Sequence, residues 1–376
     1  MIFRYRQWEP DELSQQQRMN QLARMLTYLL LQANGDVNQA LEWARYLARQ
    51  TGLLDAAQSW QDFVDGLKER GMIRESAADD GSGEGGEGND TVTYALTKRG
   101  ERIIREDSLN AIFSSLKKSL NGMHPVPREG EGVERVSETR QYKFGDPSSN
   151  IDFPTTVGNA IRREGLDFVL REEDLEVYET EHLTSCATVL LLDISHSMVL
   201  YGEDRITPAK QVALALSELV MRKYPRDYYK VVLFGDDAYE VEVDQLPYVS
   251  VGPYHTNTKA ALQAAQSLLN HQHCANKQIF MITDGKPSAI AENGRLYVNS
   301  IGLDPKIVSR TIEEAARCRR QKITITTFMV TQDPYLVKFV RRLTEVNQGR
   351  AYYSAADDLG GYVLEDFVRN RRRRVN

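Results

Sequence analysis

The run Ala187-Thr188-Val189-Leu190-Leu191-Leu192 is almost wholly apolar, and it ends directly in Asp193-Ile194-Ser195-His196-Ser197. An apolar run without alternation suits a strand buried on both faces, as in a parallel sheet. At its end the backbone presents a carboxylate and two hydroxyls. All three are oxygen donors, the ligands that hard divalent cations such as Mg2+ prefer. Asp and Ser are also common in turns, so the stretch gains weight only from matching elements further along the chain. Lys277 to Thr283 reads as a second buried strand, and it ends in Asp284-Gly285. Between the two, Thr256-Asn257-Thr258-Lys259-Ala260-Ala261-Leu262 reads as a loop entering a helix, where Thr258 is also a candidate N-cap.

From Ala187 onward strands and helices alternate. Strands are expected at 187–192, 229–234, 277–283, 322–330 and 350–353, with an edge strand from Tyr239 to Val243. Helices are expected at 207–222, 258–270, 305–320, 334–346 and about 357–369. This alternation implies an α/β fold with a doubly wound, mostly parallel sheet. Ligands in such sheets bind outside the carboxyl ends of the strands. Asp193 and Asp284 each follow a strand, so both are expected in that crevice.

These three motifs, in this order, resemble the metal-ion-dependent adhesion site of von Willebrand factor A (VWA) domains. The resemblance covers residues 183 to 376, about half the chain. It implies direct metal contacts, some through water, for Ser195, Ser197 and Thr256. It gives Asp193 and Asp284 mostly water-mediated roles. Thr258 is the fallback for Thr256. The family usually has Gly before this Thr, whereas here it is His255. The implied metal is Mg2+, with Mn2+ or Ca2+ as alternatives. Neutral hydroxyls leave the charge of such an ion poorly neutralised, so an open position would favour an Asp or Glu of a partner protein.

Within the family, Asp193 to Met198 followed by Ile206-Thr207-Pro208-Ala209-Lys210 looks most like intracellular bacterial VWA proteins. Those commonly work with AAA+ ATPases of the MoxR or magnesium-chelatase type. The resemblance therefore implies an adaptor or co-subunit that joins such an ATPase to a client, and not an enzyme. Metal-assisted hydrolysis would need a positioned base. His196 and His255 lie near the motifs, but the residue between the two serines normally projects away from the metal. His271-Gln272-His273-Cys274 lacks a second ligand pair for zinc and is read as a loop.

The first 120 residues are expected to be a mainly helical module. Apolar spacing marks helices at 14–32, 37–50 and 53–70, with Asn34-Gly35-Asp36 and Thr51-Gly52 as stops. A strand at 91–96, a helix capped by Thr97 and an amphipathic helix at 108–120 come next. This order resembles a winged-helix module, whose flexible loop would be the Gly-rich acidic stretch within 76–90. The acidic loop lacks the Lys-Ser/Thr ending of a phosphate-binding loop. Residues 121–182 are read as a linker or arm, with a short helix and a strand leading into the sheet.

A net charge of −6 gives no global reason to expect nucleic acid. The basic tail Arg371-Arg372-Arg373-Arg374 leaves nucleic-acid binding as the second reading, although cations also suit a helix C-terminus. The three cysteines, without a CxxC pair, point to reduced thiols. With no apolar signal core at the start and no membrane-length run, the expected location is the cytoplasm.

Overall fold

A computed structural model describes residues 15–53, 57–76, 93–120, 139–142, 151–165, 168–178, 185–274, 276–284, 286–292, 294–299, 302–330, 334–353 and 359–371. The Gly-rich stretch 81–88 and tail residues 372–374 lie outside them.

The chain opens with helices α1 (Gln15–Gln32), α2 (Val37–Gln50) and α3 (Ala57–Glu69). Asn34 (φ 52°) and Gly35 (φ 82°) adopt left-handed backbone and stop α1, and the Gly35 N–H returns to the Leu30 carbonyl at 2.8 Å. Asp36 then caps α2, accepting from the Asn38 and Gln39 N–H groups at 3.0 and 3.1 Å. Strands β1 (Ile73–Ser76) and β2 (Thr93–Leu96) pair antiparallel. Thr97 caps the next helix, its hydroxyl accepting from the Gly100 N–H at 2.9 Å.

That helix, α4 (Lys98–Leu120), is continuous, whereas the sequence suggests two. Ser108, the expected start of the second, instead donates its hydroxyl to the Ile104 carbonyl at 2.7 Å. The side chain is thereby satisfied inside the helix and starts nothing new. Within the expected linker, β3 (Thr139–Gln141) pairs antiparallel with β4 (Glu176–Tyr178), and α5 (Phe153–Glu164) lies between them in sequence.

The remainder comprises β5 (Cys186–Asp193), α6 (Ile206–Lys223), β6 (Tyr228–Phe234), β7 (Ala238–Val241), α7 (Thr258–Asn270), β8 (Asn276–Thr283), β9 (Ala289–Glu292), β10 (Arg295–Val298), α8 (Pro305–Arg320), β11 (Ile323–Met329), α9 (Pro334–Asn347), β12 (Arg350–Tyr353) and α10 (Leu359–Arg371). Six strands form one sheet in the order β12-β11-β8-β5-β6-β7, parallel except for the edge strand β7. The doubly wound, mostly parallel expectation is thus met. β5 is buried at every position, as its unbroken apolar run requires.

The two sheet faces have different covers. Ala187, Val189 and Leu191 share a core with α7, α8 and α9. Leu190, Leu192, Phe280 and Phe328 share the other core with α6 and α10, and that core continues into α1, α2, α3 and α4. The N-terminal helices therefore form a second layer outside α6. Helix α6 is buried on almost all sides as a result.

The β9–β10 hairpin stands where the sequence suggests only a connection between strand and helix. Every residue of β10 is exposed, so it carries none of the apolar alternation that marks a strand. Among the described residues no helix is long and apolar enough to cross a membrane.

Candidate functional site

Three chain segments meet at the carboxyl end of β5 and β8. β5 delivers Asp193, and the chain then turns so that Ser195 and Ser197 come at the start of a tight 3-10 turn (His196–Gly202). β8 delivers Thr283 and Asp284. The loop before α7 delivers Thr256, which is pinned from the far side by the root of β9. The Ser288 hydroxyl accepts from the Thr256 N–H at 2.9 Å, and the Ser288 N–H donates to the Thr256 carbonyl at 3.0 Å.

The side chains form one connected row. Thr256 Oγ1 donates to Ser195 Oγ at 3.0 Å, and Ser195 Oγ and Ser197 Oγ share a hydrogen bond at 3.1 Å. Ser197 Oγ donates to Asp284 Oδ1 at 2.7 Å. Asp193 stands behind the row. Its Oδ1 accepts from the Ser195 N–H at 2.9 Å, and its Oδ2 accepts from Thr283 Oγ1 at 2.5 Å. All five residues named from the sequence are therefore brought together. Asp193, Ser195, Thr256 and Asp284 are buried, and Ser197 is half-buried.

Burial of Asp193, and then the neighbouring charge of Asp284, push the Asp193 carboxyl up to about 7; its hydrogen bonds from Ser195 and Thr283 oppose the shift. Two carboxylates thus share a dry corner in which like charge is costly, the setting that a cation relieves. One cation is already present. Arg205, the residue just before α6, places Nη1 2.7 Å from Asp284 Oδ2. Sequence reasoning missed Arg205 and Thr283. The available signal was position alone: Thr283 ends the recognised strand before Asp284, and Arg205 lies just before the recognised helix.

The fallback ligand Thr258 is the first residue of α7 and is buried. It does not supply the cap; Asn257 does, its side chain accepting from the Ala260 N–H at 3.1 Å. An amide oxygen one residue earlier reaches the orphan N–H groups more directly. His196 is exposed, and its N–H donates to the Tyr254 carbonyl at 3.1 Å. His255 is half-buried and pinned to Asp236, with Nδ1 2.8 Å from Oδ1 and the backbone N–H 2.7 Å from the same oxygen. His271 caps its own helix, Nδ1 lying 2.6 Å from the Ser267 carbonyl oxygen.

The donors are hydroxyls and carboxylates, a set that fits a hard divalent cation. Among the described residues no group of three or more His, Cys, Asp or Glu side chains converges. A metal in this row would therefore meet two carboxylates at most, with hydroxyls and water completing its shell.

Residues 186–368 match the vWA domain of the Rv0959-like protein, and residues 134–180 match that protein's third domain. The proteins Rv0959 of Mycobacterium tuberculosis and Mb0984 of Mycobacterium bovis are each 30% identical to this chain over 315 residues. Those matches cover 81% of this chain and 45% of each relative, so the chain spans less than half their length. The vWF domain of the type V pili tip protein Mfa5 from Porphyromonas gingivalis is 12% identical, covers 51% of this chain and 98% of that one, and has a TM-score of 0.41. The SpRpn10 VWA domain is 16% identical, covers 48% of this chain and 95% of that one, and has a TM-score of 0.36. The PilB minor pilin from Streptococcus sanguinis is 16% identical, covers 53% and 64%, and has a TM-score of 0.40. Residues 186–368 of this chain are a vWA domain of the Rv0959-like type.

Proposed function

We propose that this chain is a metal-dependent protein dock. In this reading Asp193, Ser195, Ser197, Thr256 and Asp284 hold a divalent ion, Mg2+ first, and the ion takes an Asp or Glu of a partner protein. The observation that carries the reading is the unbroken row from Thr256 through Ser195 and Ser197 to Asp284, with Asp193 behind it. When bound, the metal supplies a positive centre that neutral hydroxyls leave partly unneutralised.

The chain's own residues do the rest. Thr283 and the Ser195 N–H hold Asp193 still, so its carboxylate is oriented before any ligand arrives. The root of β9 fixes Thr256 through Ser288. Ser197, half-buried, is the point at which the row opens to solvent. A partner's carboxylate arriving there leaves water for a drier place, where charge-assisted contacts are stronger.

The resemblance of Asp193 to Met198 and Ile206 to Lys210 to intracellular VWA proteins supports a finer reading. The chain would serve as adaptor or co-subunit of an AAA+ ATPase of the MoxR or magnesium-chelatase type. The experiment is purification of tagged protein from its own cells in Mg2+ or EDTA, beside the Ser195→Ala variant. An ATPase or client kept only by wild type in Mg2+ is the expected result. Equal recovery by Ser195→Ala would sink the dock, and metal-independent recovery of RNA or DNA would replace it with a nucleic-acid role.

A further inference from the structure

A built-in cation, Arg205, stands against the row of oxygens, and its connections are specific. Arg205 spans two acids of opposite character. Nη1 meets Asp284 Oδ2 at 2.7 Å, where the Asp284 side chain has no exposure. Nε and Nη2 meet a single oxygen of Glu203 at 3.0 and 2.7 Å, and the Glu203 side chain is 66% exposed. The Arg205 side chain is 14% exposed. It therefore sits at the boundary between the buried corner and solvent. Both Asp284 oxygens are occupied, one by Ser197 and one by Arg205.

We infer that Arg205 competes with the divalent ion for Asp284, and that Glu203 moderates this competition by drawing the guanidinium toward solvent. The inference rests on the metal-dock reading. Asp193 and Asp284 offset part of the ion's charge, which weakens its pull on a partner's acid. Arg205 adds positive charge beside them, and among the described residues its only other compensation is Glu203 out at the exposed rim, so the loaded site still attracts an external carboxylate that can take the place of Glu203. The same charge repels the ion, so loading is weak and reversible. Glu203 already displays, at the rim, the group that a partner would bring. It is a stand-in that a partner's carboxylate can displace from Arg205. Arg205 is thus a charge-setting residue, not a ligand.

The test uses the full chain and Mn2+ alone, with free Mn2+ followed by electron paramagnetic resonance. Arg205→Met should bind Mn2+ about tenfold more tightly than wild type, because a like charge close to the ion is removed. Glu203→Gln should bind it roughly two- to threefold more weakly, because the positive charge of Arg205 is no longer offset by its paired carboxylate. Asp284→Asn should lose most binding. General damage to the site would weaken binding in both Arg205→Met and Glu203→Gln, so the opposite signs are the signature. If Arg205→Met matches or falls below wild type while Asp284→Asn loses the ion, the Arg205 inference fails and the dock stands. If wild type takes up no Mn2+, both fail. Should Arg205→Met not fold, Glu203→Gln decides alone: unchanged or tighter binding overturns the inference.

Discussion

Arg205 and Lys210 lie little more than one turn apart at the start of α6, yet they are neutralised in opposite ways. Arg205 faces the rim of the sheet and pairs with the carboxylates Asp284 and Glu203. Lys210 points into the joint with the N-terminal helices and is fully buried. Its ammonium donates to the Leu31 carbonyl, to Asn34 Oδ1 at 3.0 Å, to the Val249 carbonyl at 3.0 Å and to the Pro247 carbonyl at 3.5 Å. These acceptors are all neutral oxygens. Leu31 belongs to the last turn of α1, where the helix dipole is negative and suits a cation. One region holds its charge between two carboxylates, one buried and one exposed. The other locks its charge with fixed dipoles contributed by both modules. On the metal-dock reading the rim is where ligands exchange, whereas the joint is closed by fixed dipoles.

The sharpest way to break this contrast is to remove the locked charge. Lys210→Ala should cost about 3–5 kcal/mol in urea unfolding of the full chain, from a cavity plus several buried carbonyls left without a donor. Lys210→Met keeps the apolar stem and should cost less, about 2–3 kcal/mol. A loss below about 1 kcal/mol in both would mean that the joint is held by apolar packing and that the ammonium is incidental.

A pH series tests the same point without cutting the contact. Burial pushes the Lys210 ammonium down to about 8 from its usual 10.5. Between those values the unfolded chain binds a proton that the native chain does not. Stability therefore rises with pH across this window, relative to Lys210→Met, by about 3 kcal/mol at the limit. Below about pH 8 the difference is flat. A flat difference up to pH 10.5 would show that the dipoles fully offset burial and that the lock costs nothing in charge.

Gly35 sharpens the joint from its other side. It sits at φ 82°, and a Cβ there would run into the Tyr248 ring. Tyr248 in turn donates its hydroxyl to Glu101 at 2.8 Å, tying the turn after α1 to α4. Gly35→Ala should cost about 1–2 kcal/mol from backbone strain and ring displacement, with little change in Mn2+ binding. A loss of metal binding here would show that the joint and the rim are coupled through α6.

The rim was more legible in the sequence than the joint, for a physical reason. Metal-type donors must be particular residue types at strand ends, so Asp193, Ser195, Ser197, Thr256 and Asp284 stand out one by one. A module interface needs only apolar surface, which many sequences supply. Its trace is in α6, where Ala209, Val212, Ala213, Leu214, Ala215 and Leu216 leave little polar face. A helix apolar all round must be covered on both sides, so this run implies a second layer. Lys210, next to the first residue of the run, reads as a polar-face residue until its carbonyl partners are seen. Arg205 was equally silent, because an arginine before a helix is common and only its distance to Asp284 gives it meaning. The β9–β10 hairpin was hidden by its exposure.

The smallest expected effect decides which threonine belongs to the row. Thr256 Oγ1 reaches Ser195, whereas Thr258 sits in the first turn of α7 behind the Asn257 cap. Thr256→Ala should weaken Mn2+ binding several-fold, because the row loses the hydroxyl at its end. Thr258→Ala should leave the metal untouched and change stability by roughly 0.5–1 kcal/mol, the usual cost of losing a buried methyl against a modest gain in helix propensity. Both variants keep the Asn257 cap, so neither outcome reduces to a broken helix start. His255, where VWA proteins usually have Gly, makes this pair informative. If Thr258→Ala loses the ion and Thr256→Ala does not, the His255–Asp236 contact holds the loop in a conformation that the ion rearranges. The row of hydroxyls would then describe the resting state alone, and the rim would be a region that changes shape on loading while the Lys210 joint stays fixed.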